Sequence, residues 1–175
     1  MNDTYHILTI AGSLRENSST AHVLRAAENL GQGILHFTRY RGLASLPAFD
    51  DNEGIPVAVA DFKHQIQAAD AVLICTPEYA FGVPGALKNA LDWTISSGEF
   101  VNKPVGLITA ATRGESAHAS LLLTLSAISA IVPEGASLLV PFIRSKIDAD
   151  GNILDWETRC GLSTVIENLV RALQE

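Results

Sequence analysis

Short apolar runs alternate with amphipathic stretches along this chain, a pattern typical of proteins built on a parallel β-sheet. The apolar runs have the length of strands and predict five of them, at 5–11, 34–40, 71–75, 105–110 and 136–140. The stretches between and after them carry apolar residues at helical spacing and predict helices at 21–30, 57–68, 84–93, 117–130 and 156–173. Such alternation builds a doubly wound α/β sheet with helices on both faces. Residues 41–56 predict a long loop, and residues 147–154 a hairpin-like excursion.

Composition places the whole chain, residues 1–175, in a single domain. Hydrophobic residues make up 47% and charged residues 18%, which suits a full core. The net charge of −7 argues against nucleic acid and anionic membranes as partners, because both need a basic surface. No apolar run reaches the roughly 18 residues that span a bilayer, and residues 1–6 do not resemble a secretion signal. We therefore expect a cytoplasmic protein, and the histidine spacing predicts no metal site.

Loop one, residues 12–20, follows the first strand and has the composition of a phosphate site. Gly12 permits a tight turn, and the start of the next helix offers unpaired N–H groups. The candidate phosphate ligands are the hydroxyl and guanidinium side chains of Ser13, Arg15, Ser18, Ser19 and Thr20. Neither GxxxxGK[ST] nor GxGxxG is present, so a polar loop with Ser18 or Ser19 as helix cap is the alternative.

Loop three, residues 76–82, follows the third strand and is predicted to hold a flat ring. In a sheet of order 2-1-3-4-5 the first and third strands are neighbours at the point where the winding reverses, so loops one and three open into one crevice. Its candidate contacts, mainly through the backbone, are Pro77, Glu78, Tyr79, Ala80, Phe81 and Gly82. A phosphate on one loop and a ring on the other indicate FMN.

Alternative interpretations of loop three remain open. Tyr79 and Phe81 are also suited to capping the core, and Glu78 to a surface or interface carboxylate without a proton-donor role. Loop four, residues 111–118, follows the fourth strand and lies at the same edge of the sheet. From there Thr112, Arg113 and Gly114 are predicted to reach the far side of the ring.

Two of these segments resemble motifs of the NAD(P)H-dependent FMN reductase family, which includes quinone, azo-dye and chromate reductases. The family's GSxRxxSxN matches residues 12–20, with Thr20 at the last position. Its PEYNxxxPGxLKNAIDW matches residues 77–93, with Ala80 in place of Asn. Loop four contains only Gly114 where the family is richer in glycine. The resemblance extends over nearly the whole chain, including IDADGNILDW near its end.

The resemblance implies a flavodoxin-like three-layer fold, bound FMN and a homodimer or homotetramer. It also implies a ping-pong reaction in which NAD(P)H, the co-substrate, gives hydride to flavin N5 and a small-molecule acceptor is then reduced. Because the cofactor carries the chemistry, the reaction needs no dedicated acid or base from the protein. Arg113 is the candidate for a positive group near the reduced ring. A flavodoxin-type electron carrier and a flavin-free binding module are the competing functions.

Overall fold

All five predicted strands are present and pair in parallel. The computed structural model describes residues 4–51 and 54–175. Its strands run in the order β2-β1-β3-β4-β5, which confirms the predicted 2-1-3-4-5 sheet. They are β1 (Tyr5–Ala11), β2 (Leu35–Arg39), β3 (Ala71–Thr76), β4 (Val105–Ala110) and β5 (Ser137–Val140). Residues 1–3, on which the leader prediction partly rests, and residues 52 and 53 of the predicted long loop lie outside this description.

The five predicted helices are also present. They are α1 (Ser19–Leu30), α2 (Val57–Ala68), α3 (Gly85–Asp92), α4 (Glu115–Ala127) and α5 (Trp156–Gln174). Of two 3-10 turns, Leu43–Ser45 lies in the predicted long loop, and Ile143–Ser145 follows β5. The hairpin-like excursion contains an antiparallel bridge between Ile147 and Ile153. Among the described residues, no helix combines the length and the apolar character needed to cross a bilayer.

Two helices begin earlier than the hydrophobic pattern predicts, because polar residues occupy their first turns. The Ser18 side chain accepts a hydrogen bond from the N–H of Ala21, so α1 begins at Ser19. Helix α4 begins at Glu115, directly after Gly114. It ends three residues before the predicted boundary, because Ser129 adopts a left-handed conformation that no helix continues through.

Helices cover both faces of the sheet and form two separate cores. One face packs against α1 and α5, whose buried side chains surround Ile7, Leu73 and Ile108. The other packs against α2, α3 and α4. Strands β3 and β4 are buried along their whole length, which explains their continuous apolar sequences. The result is the three-layer sandwich predicted from the family resemblance.

The winding reverses between β1 and β3, and this is where a ligand crevice is expected. Helix α1 leaves β1 toward one face, and α3 leaves β3 toward the other. The N–H of Gly12 donates to the carbonyl of Cys75 at 2.8 Å, which extends the strand pairing to the sheet edge. A Cβ on Gly12 would lie 2.5 Å from Thr76 Oγ1, so only glycine fits where the two strands end. Loops one and three therefore begin side by side.

Candidate functional site

A cavity of about 90 Å3 lies at the carboxyl edge of the sheet and joins loop one to loop three. The two loops also approach each other directly, since Ser13 Oγ and Tyr79 Oη are 3.5 Å apart. Arg15 and Tyr79, which the sequence places far apart, thus line one cavity. The predicted residues in its wall are Ser13, Arg15, Ser18, Ser19, Thr20, Pro77, Glu78, Tyr79 and Thr112.

The loop-one end of the cavity is built around the start of α1. Ser18 is the N-cap of this helix, as the alternative interpretation of loop one proposed, and its hydroxyl is also 2.8 Å from Thr20 Oγ1. Both side chains are buried yet line the cavity. The N–H groups of Ser19 and Thr20 belong to the first turn, which has no intrahelical acceptors for them and carries the positive end of the helix dipole. This end of the cavity is therefore suited to an anion.

Two arginines add full positive charge to the cavity. Arg15 was expected from loop one, whereas Arg144 was not among the predicted site residues. Arg144 lies in loop five, residues 141–145, which packs on loop four. The N–H of Phe142 donates to the carbonyl of Thr112, and the N–H of Ile143 donates to the carbonyl of Ala111, both at 3.2 Å. Guanidinium groups and a helix start together form a donor set that suits a phosphate.

Sequence reasoning missed the contribution of loop five altogether. Ile143 and Arg144 are the residues of this loop in the cavity wall. Ala110, at the end of β4, and Ala111, at the start of loop four, also line the cavity and were not among the predicted site residues. Residues 143–145 form a 3-10 turn, which is too short to give a periodic pattern. One signal was available: loop five also leaves the carboxyl end of a strand, where ligands of doubly wound sheets bind.

At the other end of the cavity, loop three makes a tight turn with strained backbone. Tyr79 and Gly82 exchange two N–H···O hydrogen bonds, each 3.0 Å long. Between them Ala80 and Phe81 have φ angles of 49° and 60°, the left-handed region that usually requires glycine or asparagine. The turn exposes the Phe81 side chain, and Ala80 and Phe81 line the space beside the cavity. Strain of this kind concentrates at ligand sites.

We expect Ala80→Asn to raise the free energy of unfolding by about 0.5–1 kcal/mol, because asparagine tolerates the left-handed region better than alanine does. Urea denaturation measures the change. Ala60→Asn, at an exposed position within α2, is the control. It should lower the free energy of unfolding by roughly 0.5 kcal/mol through helix propensity. A loss of stability in both variants would contradict a strained turn at Ala80.

Glu78 links loop three to the start of α4. Its carboxylate accepts hydrogen bonds from the N–H of Gly114 at 3.3 Å and from that of Ala117 at 3.0 Å. The negative charge lies at the positive end of the helix dipole, which stabilises this arrangement. Both carboxylate oxygens are thus used within the protein, and this supports the interpretation of Glu78 as a carboxylate without a proton-donor role.

A second, more open concavity adjoins the cavity on the loop-four side. Its wall consists of Glu78, Ala80, Phe81, Thr112 and Arg113. Glu78 and Thr112 belong to both depressions, so one ligand can extend from loop one across loop three to loop four.

Two predicted site residues, Gly82 and Gly114, line neither depression but shape the loops that do. Gly82 closes the strained turn of loop three through its hydrogen bonds with Tyr79. Gly114, with φ of 106°, caps α4 and donates to Glu78. Their contribution to a ligand site is therefore to the shape of the surrounding backbone.

Two titratable groups near the site have structural partners. Burial lowers the pKa of His118, which keeps the imidazole neutral at pH 7. Its Nδ1 is 2.9 Å from Thr109 Oγ1. Burial raises the pKa of the Cys75 thiol well above its usual range, and a buried thiol of this kind is unreactive. The Cys75 thiol is therefore not placed for thiol chemistry.

Comparisons with known proteins agree with this architecture. Residues 5–144 match the family described as NADPH-dependent FMN reductase. The chain is 32% identical to an NAD(P)H-dependent FMN reductase of Pseudomonas aeruginosa, over 99% of this chain and 96% of the relative. It is 30% identical to the quinone reductase of Escherichia coli K12, over 90% and 89%. In fold it is similar to FerB, a flavoenzyme NAD(P)H:(acceptor) oxidoreductase from Paracoccus denitrificans, with a TM-score of 0.77, 24% identity and 98% of each chain covered.

Proposed function

The chain belongs to the NADPH-dependent FMN reductase family, and from this premise we propose that its two adjoining depressions hold FMN, with the phosphate on loop one and the ring on loops three and four. As a member of this family it is an oxidoreductase that depends on FMN and NAD(P)H. The observation that carries the proposal is the shared cavity of Arg15 and Tyr79. It joins the start of α1 to loop three.

The residues present fit this cofactor. The phosphate would accept hydrogen bonds from the start of α1 and from Arg15 and Arg144, a set with positive charge and no carboxylate at the loop-one end. The ring of FMN has carbonyl and N–H edges, and the turn at 79–82 offers peptide groups in a fixed conformation. Glu78 holds this turn against loop four, so both walls of the ring site are positioned before a ligand arrives.

The chemistry that FMN supplies when bound is acceptance of hydride at N5 from NAD(P)H and reduction of an acceptor, which we propose to occur in ping-pong order. The protein orients the ligands and leaves the ring site open. Phe81 is exposed at its edge, where a second substrate would pack. Arg113 lines the open concavity, where its positive charge would stabilise negative charge that develops on the ring.

A quinone is the acceptor that the similarity to a quinone reductase favours. The open concavity at Phe81 and Arg113 suits a flat molecule with polar edges. Azo compounds, metal oxyanions and free flavin are the other acceptors to be compared with it. A cytoplasmic location remains our prediction from the sequence, to be tested by cell fractionation.

We further propose that the protein is a homodimer or homotetramer. The family resemblance implies this state, and Leu123, which is 74% exposed on the outer side of α4 between Ala119 and Ala127, is the candidate contact residue on this helix. Light scattering coupled to gel filtration should give a multiple of 18.7 kDa, and Leu123→Glu should shift it toward the monomer. A monomeric wild type would contradict this proposal.

The decisive experiment starts with the purified protein and its chromophore. We expect acid extraction to release FMN, and anaerobic rapid mixing with NADPH to bleach the blue absorbance band of the flavin. Benzoquinone, an azo dye, chromate and free FMN then serve as acceptors in steady-state assays. A colourless protein that fails to bind added FMN would support a flavin-free binding module. A flavin that NADPH and NADH leave oxidised would support an electron carrier.

A further inference from the structure

A third depression lies on the other side of loop one and shares only Ser13 and Arg15 with the flavin cavity. It is a groove of about 380 Å3, and four arginines line it: Arg15, Arg25, Arg39 and Arg41. We call it the arginine groove. These are four of the twelve Lys and Arg residues of a chain whose net charge is −7. They come from three places, namely loop one, α1 and the end of β2 with its following loop, so the fold concentrates positive charge here against the overall balance.

Most of this charge is not neutralised within the protein. Arg39 forms an ion pair with Glu28 at 2.7 Å. Arg15, Arg25 and Arg41 are exposed and form no ion pair with any carboxylate in residues 4–51 or 54–175. Glu16 also lies in the wall of the groove. Because Arg15 is also assigned to the FMN phosphate, the other three arginines less these two glutamates leave an excess of one positive charge. An unpaired cluster of guanidinium groups in a concavity is suited to a phosphate, which it can bind through bidentate hydrogen bonds.

The groove also has an apolar side and a connection to the flavin cavity. Leu14, which is 56% exposed, and Ala44 lie in its wall, where a flat base can pack. Ser13 and Arg15 line both the groove and the cavity. A ligand whose reactive end lies over loop three can therefore cross loop one and place a distant anionic group among the arginines.

We propose that the arginine groove binds the 2′-phosphate of NADPH and makes the protein selective for NADPH over NADH. The proposal rests on the proposed function, because it assumes that the reactive end of the coenzyme lies at the ring site. NADPH differs from NADH only in this phosphomonoester, which carries a charge of about −1.5 to −2 at neutral pH. The structure offers uncompensated arginines for that group, and an NADH molecule would leave them unused.

Arg41→Gln is the sharpest test, because Arg41 lines the groove and not the flavin cavity. We expect kcat/KM for NADPH to fall about 10- to 100-fold, the effect of losing a charged hydrogen bond, mainly through KM, whereas kcat/KM for NADH stays within about twofold. Arg41→Lys should recover part of the loss, since it keeps the charge but not the planar fork. Arg171→Gln, at an exposed position on α5 whose guanidinium bonds Asn168, is the matched control and should change neither coenzyme.

A binding measurement separates this proposal from the proposed function. By calorimetry, 2′,5′-ADP should bind the FMN-loaded protein at least about tenfold more tightly than 5′-ADP, and Arg41→Gln should remove this difference. Inorganic phosphate should compete only weakly. Three outcomes would overturn the proposal. The first is equal affinity for the two nucleotides, and the second is an equal loss of kcat/KM for both coenzymes in Arg41→Gln. The third is displacement of 2′,5′-ADP by inorganic phosphate at a concentration equal to that of the nucleotide. Tight 2′,5′-ADP binding without any NADPH oxidation would leave the groove supported and contradict the proposed function.

Discussion

Replacing Gly114 with alanine should lower the free energy of unfolding by roughly 2–4 kcal/mol. Two effects add. The φ angle of 106° disfavours every residue with a Cβ. A Cβ would also lie 2.8 Å from Leu139 Cδ1 and 3.1 Å from Thr109 Cγ2, so the Leu139 side chain or loop four has to shift.

Gly33→Ala separates the two effects. Gly33 has a φ of 92°, and its Cβ position has no neighbour within 4 Å. This control should lose only the backbone contribution, about 1–2 kcal/mol. Urea denaturation followed by circular dichroism measures both variants. Similar losses in the two proteins would show that loop four accommodates the methyl group, and the packing argument at Gly114 would then be wrong.

The same variant bears on the cofactor. Gly114 donates its N–H to Glu78, and its neighbours Thr112 and Arg113 line the ring site. A shift of loop four would therefore weaken FMN binding in Gly114→Ala, whereas Gly33→Ala, in the turn after α1, should bind FMN as the wild type does. Fluorescence titration of the apoproteins with FMN tests this second effect. It requires conditions in which both variants remain folded.

Residues 77–93 form the motif that identifies the family most specifically, and the part of it from α3 onward has a structural role. Asn89 lies in α3, and Trp93 directly follows this helix. Asn89 Nδ2 and Trp93 Nε1 both donate to the carbonyl of Pro47, at 2.8 and 2.9 Å. Asn89 Oδ1 accepts from the N–H of Phe49, whose ring packs edge-on against Trp93. These contacts hold the loop before α2 onto α3.

Strands and helices were predictable because burial on both faces leaves a strong pattern of apolar residues. The sheet order followed from the alternation of strand and helix together with the family resemblance, and the crevice followed from the sheet order. What the pattern did not contain was the backbone conformation of Ala80 and Phe81, since neither residue type signals a left-handed turn. Loop five was missed for a related reason, because Arg144 reaches the cavity through hydrogen bonds between loop backbones that depend on the tertiary fold.

The double variant Arg15→Gln/Arg144→Gln should lose affinity for FMN by about 10²- to 10⁴-fold, since each charged hydrogen bond to phosphate contributes about 1.5–3 kcal/mol. Riboflavin, which has no phosphate, should bind the variant and the wild type alike. Fluorescence quenching on titration of the apoproteins with each flavin gives the two affinities, and Arg171→Gln is the control for loss of surface charge.

The single variants assign the two arginines separately. Arg15 also lines the arginine groove, whereas Arg144 lines only the flavin cavity. Arg144→Gln should therefore weaken FMN binding without changing the preference between coenzymes, and Arg15→Gln should affect both. If riboflavin affinity fell as far as FMN affinity, the arginines would be supporting the loops and not binding phosphate. If neither affinity changed, the phosphate would lie elsewhere and loops one and three would not hold the two ends of the cofactor.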